Sequence, residues 1–149
     1  MEKYVTYMKT LFEAEDVDWT PYGVIANTLH AHRVVHVVQE RHGPGVALRL
    51  VVSLYEAYFT RGEHPSSVET LRSACAAAGL NENEAGRLVE DDCDEGMVDV
   101  KGVIREQVGN GVDSVPYVVF EGRRRDFTLV GAKEVGEYVK TMEQVAKEV

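Results

Sequence analysis

The amino-acid sequence predicts an α+β protein, in which a long helical block is followed by a β-hairpin and a final helix. Apolar residues recur at helical spacing through most of the chain, and loops rich in glycine, proline or helix-capping residues separate the helical segments. After the Gly-Asn-Gly at 109–111 the period changes to two short runs of β-branched and aromatic residues. This change predicts two domains, residues 1–111 and residues 112–149.

The first three helices are indicated by their apolar spacing and by the residues that bound them. Apolar side chains near the start of the chain predict an amphipathic first helix. Asn27 or Thr28 can cap a second helix that runs to about Arg41, because a short polar side chain accepts a hydrogen bond from an unpaired helix N–H. The run Gly43–Gly45 ends that helix. The third helix carries apolar and aromatic side chains that we expect to pack in the core: Leu50, Val51, Leu54, Tyr55, Tyr58 and Phe59.

Capping patterns mark the next two helices. Ser66 and Glu69 form a capping box, in which each side chain can satisfy an unpaired backbone N–H at the start of the fourth helix. Gly79 can adopt the left-handed conformation that ends a helix, so we expect the fourth helix to stop there. Asn81 and Glu84 repeat the capping pattern for a short fifth helix.

The remainder of the chain is predicted to form a sixth helix, two strands and a last helix. The sixth helix covers about residues 94–108, the strands cover Val115–Phe120 and Phe127–Val130, and the last helix follows Gly131. Two strands alone are marginally stable in water, and a strand as apolar as the first usually has both faces covered. We therefore expect helices, strands of another chain or strands encoded upstream to cover it.

The composition excludes some classes of partner. The chain has 149 residues and a formal net charge of −9, whereas nucleic acids and anionic membranes attract cationic surfaces. The short basic run Arg123–Arg125 is interpreted as a solvated turn. No stretch approaches the ~20 apolar residues of a membrane span, and the first residues lack the apolar region of a secretory signal. We therefore expect a cytoplasmic protein with no nucleic-acid or membrane partner.

The two cysteines, Cys75 and Cys93, are too far apart in sequence to form a Cys-x-x-Cys pair, and their spacing matches no zinc framework. Cys75 lies in an Ala-rich helical segment and is expected to be a small core residue. Cys93 follows Glu90, Asp91 and Asp92, whose negative charges disfavour a thiolate. The sequence therefore predicts no catalytic thiol.

Three segments, in the correct order, resemble one family. The segment SVPYVVFEGRRRDFTLVGA resembles the closing part of the thioredoxin fold, where a Val-Pro peptide starts a strand. The segments ANTLHAHRVVHVVQE and LYEAYFTRGEHPSSVETLRSACAAAGL resemble the FrnE-type branch of the DsbA family. The resemblance implies a truncated thioredoxin-like fold. Residues 1–111 would be its helical insertion domain, and residues 112–149 would be the C-terminal β-β-α part.

The resemblance also implies a function, that of a protein disulfide oxidoreductase. In this family a β-α-β unit that carries the Cys-x-x-Cys motif precedes the helical insertion, and this chain contains no such motif. The resemblance therefore assigns no catalytic residue here and implies that the chain alone is inactive. Ser114, Val115 and Pro116 would form the substrate-binding edge for a thiol or disulfide peptide or glutathione, with a cis bond before the proline. The simpler interpretation is a proline tolerated at the start of a strand.

Four residues at the start of the second helix lie near the redox centre by resemblance: Asn27, Thr28, His32 and Arg33. There a histidine or a helix N-terminus would stabilise a thiolate. Without the thiols, Asn27 is explained as a helix cap, and His32 and Arg33 as interfacial polar residues. Both interpretations stay open.

His30, His32 and His36 are candidate metal ligands, and His32 and His36 have the spacing with which two histidines on one helical face bind zinc in metalloproteases. The glutamate of that motif is absent, and no third ligand is obvious in the sequence. We therefore expect no metal site and no other cofactor.

Two alternative functions stay open. The chain could be related to the kappa-class glutathione transferase and isomerase branch, which binds glutathione at the same proline edge. It could instead be a non-catalytic binding or assembly module, because the unpaired edge of the Val115–Phe120 strand can pair with a second copy and form a homodimer.

Overall fold

The structure is a computed structural model that describes residues 2–90 and 92–148. The described elements are seven helices and two strands, and their order confirms the predicted α+β class. They are α1 (Glu2–Ala14), α2 (Leu29–His42), α3 (Pro44–Arg61), α4 (Val68–Ala78), α5 (Glu82–Val89), α6 (Met97–Gly109), β1 (Tyr117–Phe120), β2 (Phe127–Val130) and α7 (Val135–Ala146).

The chain divides into two compact units. The first ends at Lys101 and the second begins at Gly102, so the division falls within α6. The sequence placed the boundary after this helix, where the period changes. The interpretation of residues 1–111 and 112–149 as separate domains therefore stays a prediction.

The core of the first unit is formed by α2, α3, α4 and α5, which pack in chain order against one another. Each fully buried leucine or valine side chain stabilises the fold by roughly 1.5–3 kcal/mol. The side chains at the centre of this core are Val34, Val38, Leu50, Leu71 and Cys75.

The helix boundaries follow most of the predicted signals. Gly79 ends α4 with a φ of 98°, and Asn81 caps α5 by accepting a hydrogen bond from the Glu84 N–H at 2.9 Å. The predicted cap of α4 is wrong by one residue. Ser67, not Ser66, accepts the hydrogen bond from the Thr70 N–H, because Ser66 Oγ instead accepts one from the N–H of Ala31 on α2.

The second unit contains a two-stranded antiparallel sheet and α7. Tyr117 pairs with Val130 and Phe120 pairs with Phe127. Strand β1 begins at Tyr117 rather than at the predicted Val115. Pro116 has no N–H to donate to the ladder, although its carbonyl still accepts a hydrogen bond from Gly131 N at 2.8 Å. Helix α7 packs on one face of the sheet, where Tyr138 contacts the Phe120 ring.

Candidate functional site

The start of α2 is built around a side-chain cap. Asn27 Oδ1 accepts a hydrogen bond from the N–H of Leu29 at 2.9 Å, which supports the capping interpretation of Asn27. Thr28 occupies the N-cap position but makes no capping bond with its side chain. Its carbonyl accepts the His32 N–H at 3.0 Å, so His32 lies on the first turn of the helix.

A groove of about 410 Å³ lies between the start of α2 and the second half of α3. Thr28 and His32 both line it, so the structure brings together two of the four residues predicted near the redox centre. Tyr55 is 62% exposed, and the expectation that it packs in the core is wrong, because the groove leaves that face of α3 open. The lining is otherwise mainly apolar and aromatic: Ile25, Ala26, Ala31, Val35, Val51, Leu54, Tyr58, Phe59 and Pro65.

The loop before the groove is held against the end of α3. The Thr20 N–H donates to the Phe59 carbonyl at 2.8 Å. Gly62 has a φ of +66°, and a Cβ added there would lie 1.9 Å from the carbonyl oxygen of Tyr22. Only glycine allows this close approach, so the position of the loop that leads to Ile25 depends on Gly62.

Arg33 lies in a different environment from His32. Its side chain is 0% exposed, and its Nη2 donates to the carbonyl of Leu88 at 2.7 Å. Its Nη1 lies within hydrogen-bond distance of the carbonyl of Glu95, at 3.3 Å, and of Cys93 Sγ, at 3.4 Å. Arg33 therefore connects α2 to the end of α5 and to the segment before α6, and it is absent from the lining of the groove.

The two histidines with zincin spacing have different surroundings. His32 lines the groove, whereas His36 Nε2 lies 3.9 Å from Asp99 Oδ2. Among the described residues, no three side chains of histidine, cysteine, aspartate or glutamate come together as metal ligands would. Within the same residues, no helix combines the length and the apolar character that a membrane crossing needs.

Both cysteines are free thiols. Cys75 is fully buried, and burial, with a smaller contribution from the charge of Glu84, raises its pKa to about 11. Cys93 is half-buried beside Arg33. Asp91, one of the acidic residues that the sequence places before Cys93, lies outside the described residues.

The predicted substrate-binding residues lie in the second unit. The Val115–Pro116 peptide bond is cis, as the resemblance implies. Val115 is 80% exposed, and in the described part of the chain no backbone hydrogen bond uses its N–H or its carbonyl. Ser114 Oγ donates a hydrogen bond to Asp113 Oδ1 at 3.1 Å.

The outer edge of strand β1 pairs with no other strand in the described part of the chain. The hydrogen bond from Gly131 N to the carbonyl of Pro116 makes Pro116 and Gly131 a hydrogen-bonded pair. Along an antiparallel ladder, hydrogen-bonded pairs alternate with pairs that are not hydrogen-bonded to each other. Val118 and Phe120 therefore face β2 with their backbone polar groups, whereas Tyr117 and Val119 direct theirs away from it. Because β1 pairs only with β2 in the described sheet, these outward groups can bind another extended chain.

A comparison with protein families matches residues 2–143 to the DSBA-like thioredoxin domain. The chain belongs to the DSBA-like thioredoxin domain family. This family is of the thiol–disulfide oxidoreductase type, and the mainly helical structure with its two-stranded sheet agrees with an α+β, thioredoxin-like fold. A search of curated proteins finds no match.

In this DSBA-like chain the sequence did not reveal two features of the site. One is the groove between α2 and α3, which depends on contacts between residues that are distant in sequence. The other is the burial of Arg33. The position of Arg33 among the apolar residues of α2 was the available signal, since a charged residue on the apolar face of a helix must find partners in the core.

Proposed function

We propose that this chain is the substrate-binding part of a FrnE-type DsbA-family thiol–disulfide oxidoreductase. The unpaired outer edge of β1, next to the exposed Val115, carries the proposal. An extended peptide that pairs with this edge gains main-chain hydrogen bonds from Tyr117 and Val119, which have outward backbone groups. Ser114, Val115 and Pro116 remain the predicted substrate-binding residues.

The proposed activity requires a dithiol from outside residues 1–149. A mixed disulfide forms when a thiolate attacks a substrate disulfide, and a second thiol resolves it. Cys75 is buried and Cys93 has no second thiol next to it in sequence, so this chain lacks the Cys-x-x-Cys pair. We expect residues 1–149 alone to show no turnover in an insulin-reduction assay, and clear turnover would contradict this proposal.

Binding tests the edge directly. We would titrate an extended, cysteine-containing peptide into the protein and follow binding by calorimetry. Val119→Pro removes an outward N–H of β1, and it should weaken binding at least about tenfold, because an edge strand binds through its backbone. Thr128→Pro is the matched control, since Thr128 lies opposite Val119 but directs its N–H to the other edge of the sheet. Equal effects of the two substitutions would refute the β1 edge as the binding site.

Glutathione distinguishes the kappa-class alternative. That branch binds glutathione at the equivalent proline edge. Calorimetric detection of glutathione binding to the unmodified protein, with loss of that binding in Val119→Pro, would therefore favour the kappa-class alternative. Binding of the peptide without binding of glutathione would favour the DsbA-type function. The cytoplasmic location and the absence of nucleic-acid and membrane partners stay predictions from the sequence.

A second candidate function is a non-catalytic assembly module that forms a homodimer. The specific observation in its favour is that β1 contains no charged residue, so two copies can pair along this edge without like charges opposite each other. Light scattering over a range of concentrations tests it. A dimer that is lost in Val119→Pro and retained in Thr128→Pro would support assembly, whereas a clean monomer at high concentration would rule it out.

A further inference from the structure

A fully buried cation lies beside the thiol of Cys93. Arg33 is 0% exposed, and no carboxylate of the described residues forms a salt bridge with its guanidinium group. Its Nε has no hydrogen-bond acceptor in the same part of the chain, and its Nη1 is directed at Cys93 Sγ over 3.4 Å. A buried cation is costly without a counter-charge, so an anion that forms beside this guanidinium group is stabilised.

Among the acceptors of Arg33 that the structure describes, the sulfur is the one that can gain a negative charge. The other acceptors are the carbonyl oxygens of Leu88 and Glu95, which stay neutral. Three acidic residues precede Cys93 in sequence and repel an anion. Glu90 and Asp92 are exposed, so solvent weakens their effect, and Asp91 lies outside the described residues. Cys93 is half-buried, so the residue is partly open to solvent.

The segment that carries Cys93 is fixed against α2. Arg41 on α2 forms a salt bridge with the Glu95 side chain. Gly96 has a φ of +74°, and a Cβ added there would lie 2.7 Å from Cγ2 of Val37, so the backbone packs directly on the helix. These contacts, with the bonds from Arg33, hold the sulfur next to the guanidinium.

We propose that Cys93 is a site of oxidation by hydroperoxides and that Arg33 promotes this reaction. The sulfur, as thiolate, attacks one oxygen of hydrogen peroxide, and an S–O bond forms as the O–O bond breaks. The sulfur loses two electrons and becomes a sulfenic acid, and the departing oxygen takes up the thiol proton and leaves as water. Arg33 stabilises the thiolate before the step and the sulfenate anion after it. This modification does not depend on the proposed substrate-binding function.

The first test measures the rate of oxidation. A Cys75→Ala protein, which retains Cys93 as its single thiol, is treated with hydrogen peroxide, and the sulfenic acid is trapped with dimedone and counted by mass spectrometry. We expect one adduct on Cys93. Its rate should exceed that of a peptide of residues 88–98, which has the same acidic neighbours without Arg33, by about threefold or more. An equal or slower rate in the folded protein would overturn the proposal.

The second test assigns the effect to Arg33. Arg33→Gln in the Cys75→Ala protein should lower the rate about threefold or more, and Arg33→Lys, which keeps the charge, should change it less than about twofold. Arg49→Gln is the matched control, since Arg49 Nη2 donates to the carbonyl of Ala78 at 3.0 Å and its hydrogen bonds among the described residues go to backbone carbonyls. Circular dichroism shows whether the Arg33→Gln protein folds. If it does not fold, the comparison of the folded Cys75→Ala protein with the peptide tests the proposal instead. A folded Arg33→Gln protein that reacts as fast as the control would refute the role of Arg33.

Discussion

The imidazole Nε2 of His42 lies 2.8 Å from Oε1 of Glu84, so the last residue of α2 contacts the first turn of α5. Arg41 Nη1 lies 3.6 Å from the same oxygen. The hydrogen bond with His42 is the main cause that lowers the pKa of Glu84 below its ordinary value of 4.5. Desolvation opposes this change, and the positive charges of His42 and Arg41 reinforce it. The ionised Glu84 therefore stabilises the contact between the two helices.

This contact predicts a pH dependence of stability. A lowered carboxyl pKa contributes stability above the unfolded-state pKa, and the contribution is lost as the pH falls through the folded-state value. We expect Glu84→Gln to lower the free energy of unfolding by about 1 kcal/mol at pH 7, and the difference to shrink below pH 4.5. Urea unfolding at pH 7 and pH 3 measures it, with the exposed Glu40→Gln on α2 as the control. A difference that stays constant between the two pH values would contradict this account.

The close approach of Gly62 to Tyr22 leads us to expect that one added methyl group at Gly62 strongly destabilises the protein. Gly62→Ala places a Cβ 1.9 Å from the Tyr22 carbonyl oxygen at a φ of +66°, and we expect it to destabilise the protein by more than about 3 kcal/mol. Gly79→Ala is the control, because Gly79 also has a positive φ but open space around it, so its cost should be about 1 kcal/mol. Thermal unfolding of both variants compares them. Similar losses would show that the loop near Tyr22 moves away without cost.

The sequence predicted the elements more accurately than their long-range contacts. The order of helices and strands and the capping of α5 by Asn81 depend on residues within a few positions of each other, and they were predicted correctly. The cap of α4 was not, since the capping-box spacing of Ser66 and Glu69 favoured Ser66 over Ser67. The contact of Ser66 with Ala31, 35 residues away, decides between them, and no local pattern contains that information.

The same distinction applies to the candidate site. The cap at Asn27 was predicted from local chemistry, and the cis bond before Pro116 was expected from the family resemblance rather than from the residues. The separation of His32 from Arg33 was not predicted. Adjacent helical residues point about 100° apart, so one can line a groove while the next enters the core, and the packing of α3 and α5 decides which does so.

The core predicts a graded response to truncation of leucine side chains on α3. Leu50 is fully buried among α2, α3 and α4, so Leu50→Ala removes apolar contacts and leaves a cavity, at a cost of about 2–5 kcal/mol. Leu48 lies on the same helix and is 63% exposed, so Leu48→Ala should change stability by less than about 0.5 kcal/mol. Chemical denaturation measures both. A large loss in Leu48→Ala would indicate that another surface covers this face of α3 in solution.

The buried thiol of Cys75 leads us to expect that the free energy of unfolding falls at alkaline pH. Its folded-state pKa is raised to about 11 from an ordinary value of 9.0, so between these values the unfolded chain releases a proton that the folded protein retains. Stability is therefore fully present below pH 9 and falls as the pH rises towards 11, by about 2 kcal/mol in total. Denaturation at pH 8, 9.5 and 11 measures this loss. Tyrosines and lysines titrate in the same range, so the comparison is with Cys75→Ala, which lacks the thiol and keeps every other group. Parallel pH profiles of the two proteins would show that the Cys75 thiol ionises in the folded state as readily as in the unfolded chain.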